Sequence, residues 1–303
     1  MVHLSKCPLC DSEDISNYLK CRDHFLSGEM FELSVCGSCG FIFTQDHPGE
    51  RDSARYYESD EYASHNIGST GFFNMIYRLS RKIMLAGKRR LIIRATGMKS
   101  GRLLDIGSGS GHFLSGMKNA GWDVTGIEIN DKARDISEKL FSLNVISPER
   151  TDTLKSGSYD CITLWHVLEH FHDPFHYAVE IKRLLKEEGI CIAALPNSAS
   201  YDARHYSGSW AAYDVPRHLW HFSPETFRLF SAKAGFRLKK IIPLPPDVFY
   251  ISMLSEKYRG SGIYYLKGIL RGIWFSFLSL FRKHRSSSLV YILENRSGSS
   301  TDL

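Results

Sequence analysis

The stretch "RLLDIGSGSGHFL", Arg102 to Leu114, decides the fold. A short apolar run ends on Asp105, the glycines Gly107, Gly109 and Gly111 alternate with serines, and a helical pattern follows. That order is strand, glycine turn, helix, the arrangement in which a backbone comes close to a ligand because no Cβ stands in the way. A dinucleotide turn needs G-x-G-x-x-G, whose third glycine lets the helix press on the strand. Here His112 takes the third place, and an imidazole there blocks the approach. Asp105, two residues before the first glycine, would repel a pyrophosphate but can accept hydrogen bonds from an ammonium or from loop amides. Glu128 ends the next apolar run, "VTGIEIN", where a carboxylate can receive both hydroxyls of a ribose. That feature suits a nicotinamide dinucleotide equally; Asp105 and His112 do not.

Outward from this point the pattern alternates. Strands are expected at 102–106, 122–128, 144–146, 159–164, 189–195, 237–242 and 288–295. Helices are expected at 110–120, 130–140, 173–187 and 223–234, the last opened by Ser223-Pro224-Glu225 as N-cap, first-turn proline and dipole-facing acid. A further helical pattern spans 72–96. The result is an α/β chain with a mostly parallel sheet, helices on both faces and its ligand at the carboxyl ends of the strands.

The front of the chain follows other rules. Cys7-Pro-Leu-Cys10 and Cys36-Gly-Ser-Cys39-Gly40 are two C-x-x-C knuckles. Four thiolates from two tight turns make the closed tetrahedron of a structural zinc site, so residues 1–48 are expected to be a zinc ribbon without chemistry of its own. A Tyr-rich linker, 49–71, carries Tyr56, Tyr57, Tyr62 and His65, a ladder that packs on the next domain or covers a substrate. The main domain then runs over 72–303, with a helical insertion at about 248–285. Cys36→Ser is expected to unfold the ribbon while leaving cofactor binding in the core largely intact.

Composition fits a globular chain: 303 residues, 43% hydrophobic, 23% charged, net +5, enough for one sizeable core and a small appendage. The N-terminus "MVHLSKCPLC" has no apolar h-region, so a cytoplasmic, reducing location is expected. No acidic residue occurs from Ala63 to Leu104 or from Lys257 to Leu293, while both stretches are rich in Lys and Arg. They are either solvated helix faces or a docking surface for an anionic substrate or membrane.

Together these residues resemble the class I S-adenosylmethionine-dependent methyltransferases, whose fold is a Rossmann-like seven-stranded sheet. "LLDIGSGSG" is similar to their first motif and "VTGIEIN" to their second. "YDCITLWHVLEHFHDP" resembles the fourth strand and following segment of the ubiquinone-biosynthesis O-methyltransferases. The resemblance covers about residues 100–245. It implies that Gly107, Gly109 and Gly111 line the methionine end of S-adenosylmethionine, that Glu128 holds the ribose and that Asp105 orients the loop and the amino group. It also implies an acidic residue facing the adenine after the third strand, where Glu149 and Asp152 both fall. With the cysteine ribbon and the "YYESDEYASHN" segment, the chain resembles proteins of bacterial polysaccharide and secondary-metabolite pathways. A small-molecule, sugar or lipid-linked acceptor, methylated at a hydroxyl, is the implied substrate. The sugar C-methyltransferases share the front domain and core but carry a further large C-terminal domain. A zinc-ribbon RNA methyltransferase is the rival, weakened by the modest net charge and the lack of an aromatic-basic stripe; a cofactor-binding scaffold without catalysis is the other.

Methyl transfer from a sulfonium needs alignment, dryness and, for a hydroxyl acceptor, a base. The candidates are His166 and His170, beyond the fourth strand, and His218 in "DVPRHLWHFSPETF". Trp165, Trp210, Tyr213 and Trp220 either wall the acceptor or pack the core. In "HVLEH" a helical turn would bring His166, Glu169 and His170 to one face. Metal-dependent small-RNA 2′-O-methyltransferases have a similar Glu-x-x-Glu-His turn and a later histidine. His166 in place of the first glutamate removes a hard oxygen and disfavours magnesium, leaving a softer ion or none. Finally, 263–283 places Leu266, Ile269, Leu270, Ile273, Phe277, Leu280 and Phe281 at helical spacing with Lys267 and Arg271 opposite. This is an in-plane membrane helix or a lid packed on the core; the two central cations argue against a span.

Overall fold

The computed structural model describes residues 1–57 and 72–295, with the side chains of 72–82 outside that description. Tyr62 and His65 of the Tyr-rich segment therefore lie outside the described residues.

The Arg102–Leu114 motif sits at the centre of a seven-stranded sheet. Strand β4 (Arg102–Ile106) pairs in parallel with β5 (Asp123–Ile127) on one side and β7 (Tyr159–Trp165) on the other. β6 (Asn144–Ile146) extends the sheet beyond β5, and β8 (Leu185–Pro196) lies beyond β7, both in parallel. β11 (Ser288–Glu294) then runs antiparallel between β8 and β10 (Arg237–Pro243). The order is β10-β11-β8-β7-β4-β5-β6. Leu103 and Leu104, side by side on β4, are both fully buried and belong to two different apolar clusters, as a strand covered on both faces requires. The covering helices are α1 (Phe72–Thr96), α2 (His112–Lys118), α3 (Asp131–Phe141), α4 (Pro174–Leu184) and α6 (Pro224–Lys233); between the last two lies the short α5 (Tyr201–Tyr206). Local chemistry sets their starts: Asn130, Asp173 and Ser223 each accept the N3 amide, and Ser223 with Thr226 closes a reciprocal box. The helix expected to reach 187 stops at Leu184, because Leu185 already pairs with Tyr159 and is buried.

The second sheet has four strands, β1 (Ile15–Arg22), β2 (Met30–Cys36), β3 (Ile42–Gln45) and β9 (Trp220–His221). The first three are the ribbon; the fourth comes from the segment that follows α5. β3 pairs with β9 through Phe43 and Trp220, Thr44 N–H donates to Leu219 O at 2.9 Å, and Cys7, Cys36, Phe41 and Phe43 share one apolar cluster with Leu104, Leu164, Phe227 and Tyr291. The ribbon is thus joined to the main domain: its edge strand would be an open pairing surface without β9, and the main domain closes it. The helical insertion forms α7 (Asp247–Tyr258) and α8 (Tyr264–Phe281), between β10 and β11.

A buried ionic node fastens the ribbon to the loop that leads into β9. Arg217 donates from Nη2 to Asp23 Oδ1 at 2.9 Å and to Asp214 Oδ1 at 2.6 Å, and from Nη1 to Tyr56 O at 3.2 Å. Both the Arg217 and Asp23 side chains are essentially inaccessible to water. Replacing one partner leaves the other as an uncompensated buried charge, so Arg217→Met should cost about 3–5 kcal/mol. The shift of the urea midpoint measures it, and a loss below about 1 kcal/mol would remove the node from its structural role.

Candidate functional site

The glycine turn leaves β4 with all three glycines at positive φ, 72° at Gly107, 53° at Gly109 and 79° at Gly111. A Cβ on Gly107 would strike Val167, and one on Gly111 would meet Leu143 and Ser137; one on Gly109 would meet nothing within 4 Å. Gly109 is therefore the open ledge of the turn. The tight helix-to-strand approach is made on the neighbouring strand instead, at Gly126, where a Cβ would lie 2.7 Å from Ser108 Oγ and 2.8 Å from Leu114 Cδ1. That frees His112 to turn outward, edge-on to Phe141 at 5.0 Å.

Glu128 holds the ledge: its carboxylate accepts from Gly109 N–H at 2.7 Å and from Asn130 N–H at 2.9 Å. Each oxygen keeps a lone pair for a further donor, as the two hydroxyls of a ribose require. Asp105 is almost fully buried and accepts from Thr163 Oγ1 at 2.5 Å, not from loop amides. Burial pushes its carboxyl up to about 7, against the pull of Thr163 and the Lys88 ammonium. A ligand ammonium beside it would supply the missing countercharge, and this fits the amino group of a methionine moiety. Lys88 on α1 was not singled out in the sequence; its Nζ lies 4.1 Å from the centroid of the Trp165 ring. Glu149 and Asp152 both sit on the surface of the short turn after β6 (Pro148–Thr153), with Ser147 holding the Glu149 carboxyl below its usual range.

On the other side of β4, the chain leaving β7 does not make the helical turn expected of "HVLEH". His166 stands at φ 58, and only Leu168–His170 forms one tight turn. This splits the three residues. The His166 ring lies with Nε2 2.9 Å from Asp247 Oδ2 and Nδ1 3.6 Å from Glu169 Oε1. Burial opposes its protonation, but the two carboxylates prevail and raise it to about 10, with 35% of the side chain still open to solvent. His166 is thus a clamped imidazolium, not the base proposed from the sequence; Asp247, 81 positions further along the chain, is the partner that the sequence could not reveal.

His170 and His218 do come together, edge-to-face with centroids 4.5 Å apart. His170 Nδ1 lies 3.1 Å from Arg217 O and 3.1 Å from Tyr57 Oη, and His218 Nδ1 lies 2.9 Å from Ala212 O. A backbone carbonyl only accepts, so each ring presents its proton at Nδ1 and leaves Nε2 as a lone pair. Burial and the neighbouring His218 hold the His170 imidazolium down to about 4. Glu169, 1% exposed, has no hydrogen-bond partner on either carboxylate oxygen, yet burial is overcome by the surrounding histidines and its carboxyl stays below its usual range. Ligand atoms of Glu169, His170 and His218 lie within 4.8 Å of one another. Three electron-rich atoms facing one buried point call for a proton or a cation between them. The segment carrying His218 is held by the ribbon, through Thr44 Oγ1–H donating to His218 O at 2.7 Å, and by the turn itself, through Leu219 N–H donating to Glu169 O at 2.8 Å.

Of the aromatic residues considered as acceptor walls, Trp210 donates to Asp202, Trp220 donates to Phe171 O, and Tyr213 is buried edge-on to Trp210. These three are core. Trp165 alone is partly exposed, beside Phe113, and Tyr57 is the member of the tyrosine ladder that reaches His170.

In the ribbon, the thiols of Cys7, Cys10, Cys36 and Cys39 lie within 4.8 Å of one another, with Cys7–Cys39 and Cys10–Cys36 sulfurs each 3.6 Å apart. A tetrahedron with metal–sulfur bonds of about 2.3 Å has edges of about 3.8 Å, so the set fits zinc. Each knuckle turns back through a left-handed residue, Asp11 at φ 62 and Gly40 at φ 73.

The profile of the methyltransferase-domain family matches residues 74–241, more than half of the chain. Among curated proteins the chain is similar to ubiquinone biosynthesis O-methyltransferases. That of Bordetella avium is 32% identical over 103 residues, 31% of this chain and 42% of that protein; that of Actinobacillus pleuropneumoniae is 30% identical over 108 residues, 32% and 46%. The chain thus spans less than half the length of these relatives. A solved structure of a candidate sarcosine dimethylglycine methyltransferase from Galdieria sulphuraria superposes with a TM-score of 0.50 over 72% of this chain and 86% of the other, at 15% identity, a likeness of fold.

Calorimetry should show S-adenosylmethionine binding and no NAD binding, and Glu128→Ala should weaken the former by roughly 1.5–3 kcal/mol, the scale of lost charge-assisted hydrogen bonds. NAD binding without a response to S-adenosylmethionine would refute the assignment of the ledge. The His166 imidazolium has its own signature. Because its folded pKa lies above the ordinary 6.5, its contribution to stability is complete below pH 6.5 and disappears as pH rises through about 10. Its ring resonances should therefore not titrate between about pH 6 and 8.5 in wild type, and should begin to do so in Asp247→Asn.

Proposed function

Since the chain belongs to the methyltransferase-domain family, we propose that it moves the methyl group of S-adenosylmethionine onto a hydroxyl of a small acceptor, sugar or lipid-linked, seated against Glu169, His170 and His218. The protein is a methyltransferase by family; the hydroxyl acceptor is our reading, and the convergence of two imidazole lone pairs with a buried carboxylate whose oxygens accept no hydrogen bond is the observation that supports it. Val167, whose side chain stands over Gly107, directly precedes the Leu168–His170 turn, which supports placing the acceptor next to the glycine turn. The acceptor oxygen attacks the methyl carbon in line, the carbon–sulfur bond breaks, and the acceptor proton passes to His170 Nε2. His170 is neutral at every working pH and so always has the lone pair; Glu169 and Asp214 then stabilise the imidazolium that forms. The curated relatives carry O-methyltransferase in their names, which agrees with an oxygen acceptor.

The same Glu169, His170 and His218 are a two-histidine, one-carboxylate donor set, with both Nδ1 atoms aligned on backbone carbonyls as metal-ligating histidines commonly are. A divalent ion bound there would polarise the acceptor oxygen. Single-turnover rates with and without EDTA separate the two cases: an EDTA-resistant rate leaves His170 as base, and a loss restored by added metal assigns the set to an ion. In both, His170→Ala should lower the rate by about 10²–10⁴ with little change in cofactor affinity. Turnover of that variant at the wild-type rate would make the turn a scaffold.

We further propose that Cys7, Cys10, Cys36 and Cys39 hold one zinc ion. Elemental analysis of protein purified without chelator should find about one zinc per chain. Because β3 carries the Thr44 contact to His218, Cys36→Ser should lose the metal and depress turnover far more than cofactor binding. Protein without zinc, or a variant with full turnover, would reject the proposal.

A further inference from the structure

The α7–α8 pair carries an apolar face that nothing else in the described chain covers. α8 meets α7 through Gly268 and Gly272: a Cβ on the first would run into the Met253 backbone, and one on the second would lie 2.6 Å from Phe249 Cδ1. Gly268, Gly272 and Phe275 are the buried residues of this helix, and at 100° per residue they share one side. The glycines, not the cations, therefore stand opposite the apolar stripe expected from the sequence. That stripe faces outward: Leu266, Ile269, Ile273, Trp274, Phe277 and Leu280 are between 44% and 71% exposed. The helix packs on the core through Phe275, beside Tyr206, and not through its apolar stripe.

Charge borders the stripe on one flank. Lys267 and Arg271, with Arg259 at the end of α7, line a groove of about 680 Å³ together with Leu270, Trp274 and Glu256. No acidic residue occurs from Lys257 to Leu293. No described helix is long and apolar enough to cross a membrane. A broad apolar face with aromatic residues, edged by cations on one flank, has the complementarity of an anionic bilayer surface: the side chains enter the acyl boundary and the cations stay at the phosphates. We propose that α8 docks in the plane of an anionic membrane. The hairpin also begins at Asp247, which holds His166 beside the acceptor pocket, so the docked surface and the pocket share one helix.

Vesicle flotation of the full chain tests this. Binding to phosphatidylcholine vesicles containing phosphatidylglycerol should be at least about tenfold tighter than to phosphatidylcholine alone and should weaken with salt. It should be lost in Trp274→Glu/Phe277→Glu and reduced in Lys267→Glu/Arg271→Glu, with S-adenosylmethionine affinity unchanged in both as the control for folding. Absence of vesicle binding overturns the proposal, as does retention by the apolar double variant. So does a wild-type dimer that ignores vesicles and becomes a monomer in that variant, since the face would then belong to a second copy. Each of these outcomes is independent of whether the acceptor is a hydroxyl.

Discussion

The guanidinium of Arg217 is the interaction on which the proposed acceptor side depends. It lies between Asp23 of the ribbon and Asp214 of the loop before β9, with a third bond to the Tyr56 carbonyl. Desolvating these ions is costly, and their mutual attraction offsets that cost only because the geometry is fixed by several bonds at once. What the node secures is position. The Arg217 carbonyl faces His170 Nδ1, and the next residue is His218. One buried cation thus sets the tautomer of one histidine and the place of the other. The ribbon takes part through Thr44, so its sulfur cluster braces the pocket from some distance without contributing a reacting group.

Two histidines within a few residues of Glu169 show how environment divides one chemistry into separate roles. His166 meets Asp247 and Glu169 and is held as a cation up to about 10. His170, buried beside His218, is held neutral down to about 4. Moving in opposite directions from the same starting value, they supply a permanent positive charge and a permanent lone pair across the working pH range. The imidazolium cannot take a proton, but it keeps Glu169 ionised in a place where burial alone would protonate it. In the reaction we propose, a charged Glu169 is in turn what lets the His170–His218 pair receive a proton or an ion.

The legible parts of the sequence were those that repeat a local rule. The glycine turn, the alternation of strand and helix and the paired C-x-x-C knuckles each announce their structure within a dozen residues, and the strands fell within a residue or two of expectation except β8. What escaped notice was non-local. Strand β1 lacks the strict apolar alternation of an inward face, and β9 is two residues long, a strand only because β3 offers an edge. Asp247 and Asp214 look like ordinary polar residues until the fold sets them beside His166 and Arg217. Helical periodicity misplaced His166, because one residue at positive φ breaks the i, i+4 relation that the reading of "HVLEH" assumed. The four cysteines were readable as a set from spacing alone, whereas the dependence of the ribbon on the main domain was not: no local pattern records that a sheet edge will be closed from 170 or more positions away.

The additions to the seven-stranded core are not scattered. The ribbon with its Tyr56–Tyr57 extension, the segment from α5 to β9 and the α7–α8 pair all reach the neighbourhood of the β7 turn, through Tyr57 to His170, Thr44 to His218 and Asp247 to His166. The turns after β4, β5 and β6, where the cofactor features lie, stay short. A donor common to many enzymes needs the same ledge each time, and the core supplies it with local residues. An acceptor is particular, and the pocket we propose for it is assembled from three additions, which contacts among them must fix. Among the described residues, Arg217, Glu169 and His166 with their partners form the group of buried ions on the proposed acceptor side. On the donor side the main buried carboxylate, Asp105, has only Thr163 and a distant Lys88 to balance it, and it is the ligand that brings the rest.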